Sequence, residues 1–303
     1  MIEVVFLGTG SALPTKERML PSIAINYNGE TILFDCGEGT QFQMSNFGIK
    51  PFKIKNIFIS HLHGDHFFGL PGLLSTMNLF KRTEEINIFG PEGIKNFLFE
   101  CFKITNMTKR YEINITEIPD SFGGGILFEN DNYFIQSIPL EHSIFDLGYR
   151  FQEKNKPGHY NPEKAKKFNL PIGPIIGELK KGNSVFYNNQ KINPEDVLDE
   201  PIKGKSITII TDTKFSENAI KLAKDTDLLI HEATFEESLI DKAKEMNHST
   251  TIDAAQTALL SNSQKLIITH ISARNEDLDK LVNECKKIFI NSHYAYDSLR
   301  IIL

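Results

Sequence analysis

The sequence predicts an α/β protein with a mixed β-sheet, and two observations carry this prediction. Apolar, β-branched segments typical of strands first follow one another without intervening helices, at residues 2–7, 23–27 and 31–34. Later segments alternate, as where a predicted strand at 206–211 precedes a predicted helix at 216–223. Because clustered strands followed by alternating strands and helices are typical of layered α/β domains, we expect helices packed on the sheet.

The other predicted elements continue this order along the chain. Further strands are predicted at residues 54–60, 86–89, 111–118, 133–138, 228–231 and 265–269. Helices are predicted at residues 67–80, 93–102, 235–244, 251–261 and 277–290. Polar residues that follow the ends of such strands are candidates for a functional site, since neighbouring strands end at one rim of a sheet.

Composition places the chain among ordinary globular proteins, with 303 residues, 40% hydrophobic and 24% charged. No apolar run approaches the roughly 18 residues needed to cross a bilayer. The first residues also lack the basic and apolar regions of a secretory signal. The cysteines, Cys36, Cys101 and Cys285, are scattered and odd in number, so a disulfide framework is not expected. These features predict a cytoplasmic protein that does not associate with membranes.

Regular periodicity breaks down between residues 148 and 204, where prolines and glycines recur without a sustained pattern. Within this stretch, residues 150–182 hold eight basic and three acidic side chains, so they carry +5 in a chain of net charge −6. A long irregular segment inside a compact domain is usually functional or inserted. We therefore predict one domain over residues 1–303 with an inserted, protruding basic arm at about 150–204.

Four metal-ligand side chains occupy six consecutive positions directly after the predicted strand at 54–60. His61 and His63 are separated by one residue, so they point to the same side if the backbone is extended. Asp65 and His66 follow, and a turn there could bring them to a neighbouring point. Imidazole and carboxylate are the ligands that zinc takes in hydrolytic sites, where an open position holds water. The cluster predicts a zinc-dependent hydrolase.

Three isolated residues are candidates for completing the site. His142, Asp212 and His270 each follow a predicted strand. A single histidine near a strand end is more often a hydrogen-bonded structural residue. Their joint occurrence at strand ends favours a shared site instead.

The cluster at 61–66, together with the three isolated residues, resembles the metallo-β-lactamase superfamily, and Asp35 in Asp-Cys-Gly resembles its early turn. The resemblance implies a four-layer αββα sandwich with two zinc ions per subunit, or manganese or another divalent ion in vitro. It assigns His61, His63 and His142 to one metal, Asp65, His66 and His270 to the other, and Asp212 to both. Asp35 would orient a ligand or only shape a turn.

Two later segments resemble the paired HEAT and HST motifs of the RNase Z family of tRNA 3′-processing endoribonucleases; they are residues 231–234 and 248–250. The resemblance implies that Glu232 and His248 together protonate the departing ribose oxygen. A carboxylate beside an imidazole raises the pKa of the histidine, which suits proton donation. Alternatively, residues 247–250 only cap the helix predicted at 251. His231 is expected to be structural.

A basic arm and an N-terminal loop also resemble that family. Residues 171–182 resemble its glycine- and proline-rich exosite, and residues 14–19 resemble its PxKxRN loop. The resemblance implies RNA contacts from Lys16, Arg18, Gly173, Pro174, Lys180 and Lys181. Met19 replaces the usual asparagine, which leaves the treatment of precursors that encode CCA open. A dinucleotide loop at 8–13 is disfavoured, because Leu13 replaces the third glycine.

This resemblance extends from residues 7–10 to 269–274 and matches the short form of the family. It implies a homodimeric endoribonuclease that removes the 3′ trailer from precursor tRNA, leaving a 3′-hydroxyl on the tRNA and a 5′-phosphate on the trailer. Asp65 would be both ligand and proton acceptor, and the arm would reach tRNA bound mainly to the partner subunit. Two alternatives stay open: a hydrolase of small esters, thioesters or lactams, and an RNA-binding module with structural zinc. The second is disfavoured because the ligand set contains no cysteine.

Overall fold

Strands and helices follow the chain largely in the predicted order in the computed structural model, which describes residues 1–108 and 110–303. The strands of this part of the chain are β1 (Ile2–Gly8), β2 (Ser22–Tyr27), β3 (Glu30–Phe34), β4 (Ile54–Phe58), β5 (Ile86–Pro91), β6 (Ile113–Ile118), β7 (Gly125–Glu129), β8 (Tyr133–Leu140), β9 (Asp146–Glu153), β10 (Val185–Tyr187), β11 (Gln190–Ile192), β12 (Ser206–Ile210), β13 (Leu228–Glu232), β14 (Leu266–Thr269), β15 (Ser292–Tyr294) and β16 (Arg300–Ile302). Its α-helices are α1 (Thr40–Asn46), α2 (Gly64–Phe67), α3 (Leu70–Leu79), α4 (Ile94–Ile104), α5 (Pro162–Lys166), α6 (Pro174–Lys180), α7 (Glu217–Ala223), α8 (Ile240–Glu245), α9 (Thr251–Leu260) and α10 (Leu278–Lys286). Within these ranges, no helix is both long enough and apolar enough to span a membrane.

All of these strands except β10 and β11 form two seven-stranded sheets. The first has the order β16-β1-β2-β3-β4-β5-β6, antiparallel from β16 to β3 and parallel from β3 to β6. The second has the order β15-β14-β13-β12-β9-β8-β7, and its strands β12 to β15 are parallel. Parallel strands bring their carboxyl ends to one edge, which is where the predicted site residues follow them.

Each sheet carries helices on one face and the other sheet on its second face. On the first sheet, strand residues such as Leu33 and Ile57 share an apolar cluster with helix residues such as Met44 and Leu73. On the second sheet, the equivalent cluster joins residues of β12 to β14 with residues of α7, α9 and α10. These layers confirm the mixed α/β prediction and the αββα arrangement that the resemblance implies.

Aromatic side chains pack the two sheets together. Tyr149 of β9 lies with its ring centroid 5.7 Å from that of Phe34 and 5.5 Å from that of Phe58. The Tyr149 hydroxyl donates a hydrogen bond of 2.7 Å to the carbonyl oxygen of Ile59. This bond fixes the second sheet to the residue that precedes Ser60 and the metal-ligand cluster.

Residues 129–134 and 152–205 form a second compact unit with a small core of its own. That core includes Leu179, Ile192 and Val197. The unit contains α5, α6 and the two-stranded hairpin of β10 and β11. The expectation of an irregular segment from residue 148 is therefore wrong, because β9 continues to Glu153 and short elements too brief for a visible period follow it.

One predicted helix and several unpredicted elements also differ from the sequence-based expectation. The helix predicted at 235–244 begins only at Ile240, after a 3-10 turn at Glu237–Leu239. The preceding residue Phe235 is instead held in a parallel bridge with Thr250. The sequence patterns do not predict strands β7, β9, β15 and β16 or helix α1. Each is either too short to show a period or has a burial pattern that depends on the elements packed around it.

We expect Tyr149→Phe to lower the free energy of unfolding by about 1–3 kcal/mol, because it leaves the buried carbonyl of Ile59 without this donor. Urea denaturation measures the change. Tyr296→Phe is the matched control, since Tyr296 is 49% exposed and should leave the midpoint unchanged. Equal midpoints for the two variants would contradict the role given to the inter-sheet bond.

Candidate metal centre

The seven predicted metal ligands come together at one edge of the two sheets. The structure groups His61, His63, His142 and Asp212 so that one ligand atom of each lies within 4.8 Å of the others. Asp65, His66 and His270 form a second group by the same measure. Residues separated by more than 200 positions in sequence therefore meet, as the resemblance implies.

The first group is held by close contacts between imidazole nitrogens. His61 Nε2 lies 3.1 Å from His63 Nδ1, and His63 Nδ1 lies 3.2 Å from His142 Nε2. Asp212 Oδ2 is 3.8 Å from His61 Nε2 and 4.0 Å from His142 Nε2. Three nitrogens and one carboxylate oxygen thus face a common point.

The second group lies on the other side of Asp212. His66 Nε2 is 3.3 Å from His270 Nε2, and each of these nitrogens is 3.6 Å from Asp65 Oδ2. Asp212 Oδ1 lies 3.2 Å from His270 Nε2, and its Oδ2 lies 3.5 Å from His66 Nε2 and 3.8 Å from His61 Nε2. One carboxylate therefore lies close to nitrogens of both groups, which is expected of a bridging ligand.

The donor set fits a pair of divalent cations. Asp212 Oδ1 is buried and has no hydrogen-bond partner among the described residues, although a buried carboxylate oxygen normally needs one. Nitrogen lone pairs directed at one another at about 3 Å are unfavourable unless a proton or a cation lies between them. Imidazoles with carboxylates, and no cysteine, are typical of hydrolytic zinc sites.

The pKa values of two buried histidines also favour bound cations. Burial lowers the pKa of His61 to about 3, so this ring is neutral and can act as a ligand. Burial also lowers the pKa of His66, but the carboxylates of Asp212 and Asp35 outweigh it and raise that pKa well above its ordinary value. A positive charge is thus favoured at this position, and a metal ion would supply it in place of a proton.

Asp35 positions His66 within this centre. It adopts a left-handed backbone conformation with φ of 55° directly after β3. Its carboxylate accepts hydrogen bonds from Ser60 N at 2.8 Å and Ser60 Oγ at 2.9 Å, and Oδ2 lies 2.7 Å from His66 Nδ1. The other ring nitrogen of His66 is thereby directed at Asp65, Asp212 and His270. Asp35 therefore orients a candidate ligand and is not only a turn residue.

Glycines allow the Asp35 turn and the ligand turn to approach closely. A Cβ atom at Gly37 would lie 2.3 Å from the carbonyl oxygen of Asp65. A Cβ atom at Gly69 would lie 2.1 Å from the carbonyl oxygen of Gly37. Both distances are far below van der Waals contact, so only glycine fits at either position.

Other rings of the centre have their second nitrogen fixed by groups that the sequence did not reveal. Asp146 Oδ1 lies 3.2 Å from His61 Nδ1, and burial raises the pKa of this carboxyl to about 7. His142 Nδ1 lies 2.9 Å from the carbonyl oxygen of Asn247. Asp146 opens β9, for which the sequence predicts no strand, and it belongs to no recognised motif. Only its position four residues after His142 offered a signal.

Glu232 and His248 form a close pair beside the metal groups. Glu232 Oε1 lies 2.9 Å from His248 Nδ1 and also accepts a hydrogen bond from Thr213 N. Its Oε2 accepts from the Thr234 backbone and hydroxyl, so the carboxylate is fully buried and fixed. Burial lowers the pKa of His248, but Glu232 outweighs it and raises that pKa to about 9.

The residues after His248 also cap α9. Thr250 Oγ1 accepts a hydrogen bond from Asp253 N, and Asp253 Oδ2 accepts from Thr250 N. Ser249 Oγ donates to the carbonyl oxygen of Thr213. The capping and pairing interpretations of this segment are therefore compatible, because Thr250 makes the cap and leaves His248 free to meet Glu232. His231 is buried, with Nδ1 2.7 Å from the Glu232 carbonyl oxygen, as a structural residue would be.

The predicted RNA contacts differ in exposure. Lys16 is exposed, whereas Arg18 is only 8% exposed and its Nη2 donates to the carbonyl oxygens of Ser272 and Asn275. Arg18 is therefore already bound to protein carbonyls, so a direct contact with RNA phosphate is not supported for it. Its hydrogen bonds join two loops instead. The contact predicted for Lys16 stays a prediction.

The predicted contacts in the arm all lie in or beside α6, within the second compact unit. Gly173 precedes the helix and Pro174 is its first residue. Lys180 and Lys181 are exposed at its end, and Lys181 Nζ lies 2.7 Å from Glu178 Oε1. The structure thus gathers these four residues around one short helix. Their contact with RNA stays a prediction.

Comparison with known proteins identifies the relatives of this chain. A family model described as the anti-Pycsar protein Apyc1 matches residues 2–144, which is less than half of the sequence. The short form of human tRNase Z has a similar structure, with a TM-score of 0.74 and 29% identity over 99% of this chain and 98% of that one. The metallo-β-lactamase fold protein YhfI of Bacillus subtilis shares the fold, with a TM-score of 0.69 at 14% identity over 99% of this chain and 98% of that one.

Curated relatives are similar over nearly their whole length. Ribonuclease Z of Methanothermobacter thermautotrophicus is 42% identical over 302 residues, which cover 99% of this chain and 96% of the relative. Ribonuclease Z of Pediococcus pentosaceus is 41% identical over 98% of this chain and 97% of the relative. With this identity over the full length, the chain belongs to the Ribonuclease Z family.

Proposed function

We propose that this protein is a zinc-dependent endoribonuclease that removes the 3′ trailer from precursor tRNA, leaving a 3′-hydroxyl on the tRNA and a 5′-phosphate on the trailer. The observation that carries the proposal is the Glu232–His248 pair beside two groups of metal-ligand side chains. Membership of the Ribonuclease Z family supports the substrate. Incubation of the purified protein with a 3′-labelled precursor tRNA tests the proposal. If no trailer is released with zinc or manganese, the proposal is contradicted.

The proposed cofactor is two zinc ions per subunit. His61, His63 and His142 would hold one ion, and Asp65, His66 and His270 would hold the other, with Asp212 shared. When bound, the ions would lower the pKa of water towards neutrality and neutralise charge on the scissile phosphate. The structure also places His248 with Asp212 and His270 as a third group of potential ligands. We assign His248 to proton transfer, because Glu232 fixes its Nδ1.

Asp65 and His248 would move protons on opposite sides of the reaction. Asp65 Oδ2 accepts a hydrogen bond from Ala12 N at 2.9 Å, which holds the carboxylate at the cavity wall. From there it can accept the proton of the attacking water. His248 bonds to Glu232 through Nδ1, so it would donate the proton on Nε2 to the departing ribose 3′ oxygen.

The second compact unit would act as an arm inserted in the catalytic domain, and its exposed lysines would bind the tRNA away from the cut. Lys180 and Lys181 are exposed, and phosphate binding by lysines is sequence-independent. We further propose a homodimer in which the arm serves the partner subunit, on the basis of the family resemblance. A cytoplasmic location completes the proposal and is supported by three unpaired cysteines.

Asp35→Asn should weaken zinc binding about 10- to 100-fold, because an amide cannot both accept from Ser60 and orient His66 as the carboxylate does. Titration against a chromophoric chelator measures the affinity, and elemental analysis should give about two zinc ions per wild-type chain. Asp120→Asn, at an exposed carboxylate, is the control. Wild-type affinity in Asp35→Asn would contradict the positioning role.

His248→Ala should lower kcat on precursor tRNA by about 10²- to 10⁴-fold without changing the zinc content, because it removes a proton donor and no ligand. Glu232→Gln should lower kcat in the same direction. His293→Ala replaces an exposed histidine and should behave as wild type. Single-turnover cleavage and elemental analysis give the two readouts. Loss of one zinc ion in His248→Ala would show instead that His248 is a ligand.

Replacing Lys180 and Lys181 together by alanine should weaken precursor tRNA binding at least tenfold, because two phosphate contacts are lost. Hydrolysis of bis(p-nitrophenyl) phosphate should be unchanged, since this small substrate needs only the metal centre. The matched control replaces Lys50 and Lys53, which are exposed outside the arm. An unchanged dissociation constant for tRNA in the arm variant would contradict the role of the arm.

A further inference from the structure

We propose that Arg274 binds a phosphate of the RNA strand that crosses the metal centre. The inference rests on the proposed function, since it assumes a phosphodiester substrate. It concerns a residue in the loop that follows His270.

The cavity beside the metal groups is lined by more carboxylates than lysines or arginines. It has a volume of about 780 Å³ and is lined by His63, Asp65, His142, Asp212, His248 and His270 on its floor. Glu38 adds a further acidic side chain to its wall. Arg274 is the one lysine or arginine among the described residues that line it. A polyanion that enters this cavity therefore has one permanently cationic side chain to meet.

The guanidinium of Arg274 is available for a ligand. Its side chain is exposed, and the described part of the chain offers it no ion-pair partner within 4.0 Å. Some exposed lysines differ in this respect, for example Lys166, Lys181 and Lys287, which are paired with glutamates. Because Arg274 is exposed and unpaired, its guanidinium can bind an anion without first breaking an ion pair.

The loop that carries Arg274 is held from both sides. Arg18 Nη2 donates to the carbonyl oxygens of Ser272 and Asn275, which flank Arg274, at 3.2 and 3.0 Å. Asn275 N donates to the Ser272 carbonyl oxygen at 3.0 Å, which closes a turn. Upstream, Ser11 N donates to the carbonyl oxygen of Ile271. The buried Arg18 thus fixes the backbone from which Arg274 projects, and less ordering is needed when a phosphate binds.

Arginine suits this position better than lysine. Its planar guanidinium can donate two parallel hydrogen bonds to one phosphate, whereas the lysine ammonium acts as a point charge. The bound phosphate would neighbour the metal groups, so Arg274 would align the strand for cleavage as well as retain it. We therefore expect substitutions of Arg274 to weaken substrate binding even when no cleavage takes place.

The test measures binding of labelled precursor tRNA by fluorescence anisotropy to zinc-loaded protein that carries His248→Ala, in which cleavage is slow. Arg274→Ala should raise the dissociation constant about tenfold, the effect of losing about 1.4 kcal/mol. The slope of log Kd against log salt should fall by about 0.7 to 0.9, as expected for one phosphate contact. Arg110→Ala, at an exposed arginine outside the cavity, should change neither value.

The assignment would be overturned if both Arg274→Ala and Arg274→Gln bound tRNA with the wild-type affinity and salt slope. Circular dichroism checks that the variants are folded. Arg274→Lys should give the wild-type salt slope but only part of the wild-type affinity. Lysine keeps the positive charge but cannot donate two parallel hydrogen bonds to one phosphate. The outcome is separable from that of the proposed function. If wild-type protein with zinc releases no trailer, the proposed function fails, whereas unchanged binding in active variants removes only the role of Arg274.

Discussion

The site depends on one buried carboxylate surrounded by imidazoles. Oxygens of Asp212 lie within 4.0 Å of nitrogens from five histidines, which are His61, His66, His142, His248 and His270. A charge buried in this way is stable only when other charges or hydrogen bonds compensate it. Neutral imidazoles are weak partners for a carboxylate, but metal ions between them would satisfy oxygen and nitrogen donors at once. The same crowding that would destabilise an empty core is therefore what makes this a cation site.

The fold meets this constraint by ending strands of both sheets at the same place. Strand β4 leads to His61, β12 leads to Asp212, and β14 leads to His270. No single sheet could supply all of these groups, so the packing of Tyr149 against Phe34 and Phe58 is part of the functional geometry. A shift between the sheets would separate ligands contributed by each. The packing between the sheets therefore stabilises the protein and also fixes the positions of the ligands.

The sequence predicted the groups that stand in motifs and missed those that act through the fold. His61, His63, Asp65 and His66 are dense enough to be recognised, and His142, Asp212 and His270 become candidates because each follows an apolar strand. Asp146 has no such context, since its strand alternates poorly in sequence and gains its burial from both sheets. Arg18 is a residue for which the structure adds a role that the sequence did not indicate. A basic residue in a loop suggested RNA contact, but hydrogen bonds to distant carbonyls, which sequence cannot reveal, give it a structural role.

The acidic character of the cavity explains why positively charged side chains are needed outside the metal centre. Asp65, Asp212 and Glu38 make the cavity acidic, which suits metal ions but repels a phosphodiester. Bound metal ions would reverse this field locally and would leave neighbouring phosphates of the strand facing carboxylates. In the proposed function, Arg274 in the cavity lining would compensate one such phosphate, and Lys180 and Lys181 of the arm would contact others. This division of the positive charge would let an acidic centre hold metal ions and still accept a polyanion.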